Sequence, residues 1–139
     1  MLKKHDKNSL SAFQFRGRIV KIPEELASAL EELKNISSST FVIVEGPADF
    51  KALADVGVPA NQIIKWAGKT LEELLDEIEK NRASEVIDML DADKTGRKKS
   101  AALYAAGKMK INRRLKKIIL GQIKSSKIED LMNFLGRSA

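Results

Sequence analysis

The chain has 139 residues, with 25 Lys and Arg against 19 Asp and Glu, a formal charge of +6 and no cysteine. That length suits one domain with a real core, and the absent thiol excludes a disulfide framework, a Cys-based zinc site and a cysteine nucleophile. No apolar run approaches the roughly 20 residues that span a bilayer, and the opening MLKKHDKNSL lacks the apolar centre of a signal peptide. The expected setting is therefore the cytoplasm, with no membrane contact.

Residues 1–20 read as an N-terminal arm, partly mobile, in which the single histidine, His5, is a tail residue rather than a ligand. FQFRGRIVKI, which overlaps its end, is a short strand or an extended arm. Residues 21–38 hold a helix: Pro23 suits its first turn, Glu24 and Glu25 favour the positive end of the dipole, and Leu26, Leu30 and Leu33 recur at helical spacing. FVIVEG follows, a continuous β-branched and aromatic run ended by glycine, as in a strand buried on both faces. PADFKALADVG is a short helix entered through Pro47 and closed by Gly57.

NQIIKWAG predicts a second strand, in which Trp66 packs rather than stacks on a base. TLEELLDEIEKNR predicts an amphipathic helix with Thr70 as N-cap and Glu73 at the capping-box position. SEVIDML is a third strand, GRKKSAALYAAGK a helix with Tyr104 in its core face, and KMKI a fourth strand. NRRLKKIILGQI and KIEDLMNFLG end as helices. Alternation with short connections predicts an α/β, Rossmann-like architecture: a mostly parallel four-stranded sheet flanked by helices, its core over 39–124 and a helix over 125–139 completing the domain.

In such a sheet, ligands gather beyond the carboxyl ends of the strands. Glu45 ends the first core strand, while Asp91 and Asp93 follow the third. Three carboxylates at one edge would repel, and a hard divalent cation relieves the repulsion; Mg²⁺ takes a few carboxylates and keeps several waters. Gly46 and Gly96 would allow tight turns beside them. Each piece has a structural alternative: Glu-Gly as a turn, and Asp93 as the N-cap of the helix beginning near Thr95. Asp49, one helical turn past Glu45, either faces the site or steadies the helix start.

Charge is unevenly spread. Residues 24–93 hold 16 acidic and 6 basic side chains, whereas 94–128 hold 12 basic and none acidic. A one-signed segment is what phosphate backbones require. Lys94, Arg97, Lys98 and Lys99 border the aspartates, and Arg113, Arg114, Lys116 and Lys117 form a second patch for backbone contacts. Lys69 follows the second strand and is a surface residue within reach of the site.

VIVEGPADFKAL and IDMLDADKTGRK together resemble the TOPRIM domain, shared by topoisomerases, bacterial-type primases, certain nucleases and the endonuclease that matures 5S ribosomal RNA. The first resembles the family's glutamate motif, here Glu45, Gly46 and Asp49. The second resembles its Asp-x-Asp motif with trailing glycine, here Asp91, Asp93 and Gly96. The resemblance implies Mg²⁺-dependent phosphodiester chemistry, with Mn²⁺ as a substitute, in which Asp91 and Asp93 hold the ion and Glu45 is acid, base or ligand. It leaves open a nuclease on DNA or RNA, a non-catalytic nucleic-acid-binding module, or a subunit of a larger primase-like, topoisomerase-like or RNA-processing complex. A protein partner or a homo-oligomer fits the last.

Overall fold

The computed structural model describes residues 9–138. His5, the first eight residues of the expected arm and residue 139 lie outside the described residues. Leu10–Phe15 (β1) and Arg18–Pro23 (β2) pair antiparallel. Period-two alternation puts Phe13, Phe15, Val20 and Ile22 on one face, and all four are buried. The turn residues Arg16 and Gly17 both have positive φ, 52° and 75°, the backbone whose twist suits a two-residue hairpin. Where a short strand or an extended arm was expected, residues 10–23 form a hairpin, held by that apolar face.

The chain then builds α1 (Glu24–Lys34), β3 (Thr40–Val44), α2 (Pro47–Asp55), β4 (Ile63–Lys65), α3 (Leu71–Lys80), β5 (Glu85–Asp88), α4 (Lys94–Ala106), β6 (Lys110–Asn112), α5 (Arg114–Ile123) and α6 (Asp130–Arg137). The sheet order is β4-β3-β5-β6 and every pairing is parallel. This is the expected Rossmann-like architecture, a four-stranded parallel sheet flanked by six helices. Among the described residues, no helix is long and apolar enough to cross a membrane.

All five residues of β3 are buried because both sheet faces are covered. On one face Val42, Val44, Ile87 and Met89 pack with the hairpin, α1, α5 and α6. On the other, Phe41, Ile43, Trp66, Val86 and Leu90 pack with Leu74 and Ile78 of α3 and Leu103 of α4. Trp66 is buried there, as expected. Tyr104 is not: it is 58% exposed, because its neighbour Leu103 is the residue α4 turns inward.

Thr70 caps α3 as its sequence predicts, its Oγ1 accepting the Glu73 N–H at 3.1 Å while Glu73 accepts the Thr70 N–H at 2.9 Å. Gly57 follows Val56, the C-cap of α2, and its φ of +106° favours glycine.

Candidate active site

Because β3 and β5 are neighbours in parallel, the residues that follow them emerge at the same edge. Glu45 comes first after β3, and its carbonyl accepts the Ala67 N–H at 2.9 Å, which prolongs the pairing with β4 and steadies its backbone. Its side chain turns toward α4. Oε1 accepts from Lys99 Nζ at 2.8 Å, and Oε2 is buried with no hydrogen-bond partner. Lys99 also lies over the Trp66 ring, 5.5 Å from its centre.

Asp91 is buried, and its Oδ1 accepts the Ile128 N–H at 2.9 Å. Asp93 occupies the N-cap of α4: Oδ1 accepts the Gly96 N–H at 2.8 Å, and Oδ2 accepts from Lys127 at 3.4 Å. The Ala92 N–H donates to the Ser126 carbonyl at 2.7 Å. Residues 126–128 therefore run beside 91–93 and hold that loop in place.

The two glycines differ in what they do. A Cβ on Gly96 would stand 1.9 Å from the Asp91 carbonyl oxygen, so the first turn of α4 can lie against the aspartate loop only without a side chain. A Cβ on Gly46 would meet only Ala67, at 3.8 Å, and Gly46 has extended backbone open to any residue. The turn beside Glu45 does not require glycine.

Asp49 Oδ2 accepts the Gly46 N–H at 3.2 Å at the start of α2. Burial first, then the charge of Asp91, with Glu129 and Glu45 behind it, pushes its carboxyl up to about 6. Burial also raises Asp91, reinforced by the charges of Asp93 and Glu45, against the pull of the Ile128 N–H and of Lys127. Asp93 is held low, chiefly by the Gly96 N–H and then by Lys127. Proton affinity thus diverges among carboxylates that sense one another's charge.

The basic residues separate into two sets. Lys94, Arg97, Lys98, Arg113 and Lys117 are exposed, with the Arg113 guanidinium 4.2 Å from the centre of the Tyr104 ring. Arg114 is tied to Glu32 of α1, and Lys69 to Glu77 of α3. Lys99 goes to Glu45. Lys116, expected among the backbone contacts, instead turns inward and donates to Asp88 Oδ1 and Ser100 Oγ, both at 3.0 Å.

Asp88 itself was missed in the sequence. It is fully buried, accepts the Leu90 N–H at 2.9 Å, and its Oδ2 has no partner. The available signal was the carboxylate within the apolar run VIDML, since a buried charge needs a cation. Lys127 and Glu129 were missed as well. They lie in KSSKIED, whose position over the aspartate loop depends on long-range packing and leaves no local signal.

Among the described residues, no three His, Cys, Asp or Glu side chains are already gathered so as to hold a metal ion. The donor chemistry nevertheless suits a hard divalent cation. Glu45, Asp91 and Asp93 offer oxygen only, Glu45 Oε2 is buried without a partner, and two lysine ammonium groups supply the positive charge that the edge calls for. An ion held by all three would take the places of Lys99 and Lys127.

The family model for the Toprim domain matches residues 40–123. UPF0292 protein MJ1624 of Methanocaldococcus jannaschii is 35% identical to this chain over 80 residues, which span 58% of this chain and 62% of that protein. A solved structure of a protein from Aquifex aeolicus superposes with a TM-score of 0.67 at 23% identity, covering 78% of this chain and 99% of that one. The likeness to that structure is one of fold.

Proposed function

The chain belongs to the Toprim domain family, whose members carry out metal-dependent chemistry on nucleic acid, and from that premise we propose that it hydrolyses phosphodiester bonds as a small Mg²⁺-dependent nuclease acting on DNA or RNA. The observation that carries this reading is the placement of Glu45, Asp49, Asp91 and Asp93 at one sheet edge, within reach of one another's charge, beside a segment of 12 basic and no acidic residues over 94–128. A scaffold alone gains nothing from such like-charge crowding.

Asp91 and Asp93 would hold the ion, and Glu45 would join them or exchange a proton with the attacking or leaving oxygen. A bound Mg²⁺ supplies polarisation of a phosphoryl oxygen and offsets the charge developing there. Lys99 fixes Glu45 through Oε1 and leaves Oε2 as the acceptor. Gly96 lets the α4 N-terminus lie against the Asp91 backbone, which sets the positive end of the helix beside the aspartate loop. Lys94, Arg97, Lys98, Arg113 and Lys117 stand exposed to hold the sugar–phosphate backbone, Arg by its planar fork and Lys as a point charge.

The test is cleavage of end-labelled DNA and RNA panels, with and without Mn²⁺ or Mg²⁺, by wild type and Asp91→Asn in parallel. The amide keeps an oxygen to accept the Ile128 N–H, so the variant folds. Metal-dependent cleavage lost in the variant supports the reading; equal products from both proteins overturn it.

One observation favours a second reading. Lys99 and Lys127 already neutralise Glu45 and Asp93, which suits a module that grips nucleic acid without chemistry. That module would show salt-sensitive binding and no turnover in the same assay.

A further inference from the structure

α4 and α5 leave a cavity of about 550 Å³ between them, within the roughly 300–1,000 Å³ of small-molecule sites. The small residues Ala92, Ser100 and Ala101 line it, together with Leu120 of α5. Arg97, Arg113 and Lys117 line the cavity as well and are exposed. No carboxylate lines it. Asp88 lies behind Lys116, which is also a lining residue, and the two neutralise each other, so Arg97, Arg113 and Lys117 supply the positive charge around a mostly apolar interior.

An apolar slot with a cationic rim calls for a flat, apolar group that carries an anion. Resting on the nucleic-acid reading above, we propose that this cavity seats one unstacked nucleotide of the strand, its base between Ala101 and Leu120 and its phosphate on Arg97, Arg113 and Lys117. The position agrees with that role. Ala92 stands between Asp91 and Asp93, and the Arg97 N–H donates to the Asp93 carbonyl at 2.8 Å. The cavity therefore shares a wall with the carboxylate edge, and a nucleotide seated there flanks the phosphate presented to it. At the margin, the Arg113 guanidinium and the exposed Tyr104 ring, 4.2 Å apart, offer a stacking surface for a neighbouring base. A base stacked in a duplex cannot enter such a slot, so the substrate class is single-stranded nucleic acid, a frayed end or a flipped-out nucleotide.

The test is fluorescence titration of the full chain in chelator with an etheno-adenosine 5′-monophosphate probe, in competition with adenosine 5′-monophosphate, adenosine or inorganic phosphate. The nucleotide should compete at least tenfold better than either fragment. Ala101→Leu, which narrows the slot at an exposed helix position, and Arg113→Ala, which removes a phosphate contact, should each weaken the probe about tenfold, with unchanged circular dichroism. Inorganic phosphate competing as well as the nucleotide, or wild-type affinity in both variants, overturns the proposal. The two readings fail separately. Nucleotide binding without any metal-dependent cleavage by wild type removes the nuclease and keeps the pocket. Cleavage that shows the same strand preference in Ala101→Leu as in wild type removes the pocket and keeps the nuclease.

Discussion

Lys99 Nζ lies 2.8 Å from Glu45 Oε1, so an ammonium from α4 stands at the carboxylate proposed above as a metal ligand or a proton carrier. The pair is about one-third exposed and contributes only ~1 kcal/mol. Lys99→Met should accordingly fold, lose little stability in chelator, and take up Mn²⁺ roughly threefold to tenfold more tightly, since the ion no longer competes with that ~1 kcal/mol pair. Thermal shift against Mn²⁺ concentration measures this. Identical Mn²⁺ responses in wild type and variant would show that the lysine does not compete.

Gly96→Ala should cost about 2–3 kcal/mol, the upper range for overpacking. Its Cβ has no room, 1.9 Å from the Asp91 carbonyl oxygen, and backbone rather than a flexible side chain must move. Urea unfolding reads the loss. Gly46→Ala, with 3.8 Å to its nearest neighbour, should stay close to wild type in the same experiment.

Asp93→Ala should lose about 1 kcal/mol through the α4 cap alone, whereas Asp93→Asn keeps an acceptor for the Gly96 N–H and should lose little. Both should lose metal response. A metal response that survives in Asp93→Asn, by thermal shift, would remove Asp93 from the ion site.

Lys116→Met leaves Asp88 buried without its cation and should destabilise the fold by about 3–5 kcal/mol. Replacing both partners, Asp88→Leu with Lys116→Met, should recover most of that loss, because an apolar pair needs no counter-ion. A double-mutant cycle by denaturant titration checks the coupling. Additive losses would mean that the pair is not a unit.

Asp49 imposes a pH dependence. Its carboxyl lies at about 6 in the folded chain against 3.8 for an unperturbed aspartate, so the folded state binds more protons than the unfolded state between those values. Stability then falls as pH rises through that window, and the contribution present below it is gone above about 6. In chelator, Asp49→Asn should flatten this decline relative to wild type. Parallel pH profiles of Tm test it; a wild-type curve rising through the window as steeply as the variant's would refute it.

The fold was largely legible because its strongest signals are local. FVIV reads as a doubly covered strand and is one, and Thr70 with Glu73 reads as a cap and forms one. The hairpin over 10–23 escaped because its turn is Arg-Gly. Positive φ is expected of Asn or Asp at the first position, not of Arg16, although Phe13, Phe15, Val20 and Ile22 already alternated correctly. At the site, the residues that end strands could be placed from the pattern. The lysines could not: a long flexible stem lets Lys99, Lys116 and Lys127 find carboxylates 54, 28 and 34 positions away, and only the assembled fold decides which.

The register that sets Thr40 against Glu85 has a kinetic consequence. Glu45 and Asp91 become neighbours only once a loop of some forty-five residues has closed, and parallel pairing of this kind is slow relative to helix formation. During refolding from urea, ion uptake should lag behind the early gain in helical circular dichroism and keep pace with burial of Trp66 on the sheet. A chain halted before that closure should be helical yet take up no magnesium.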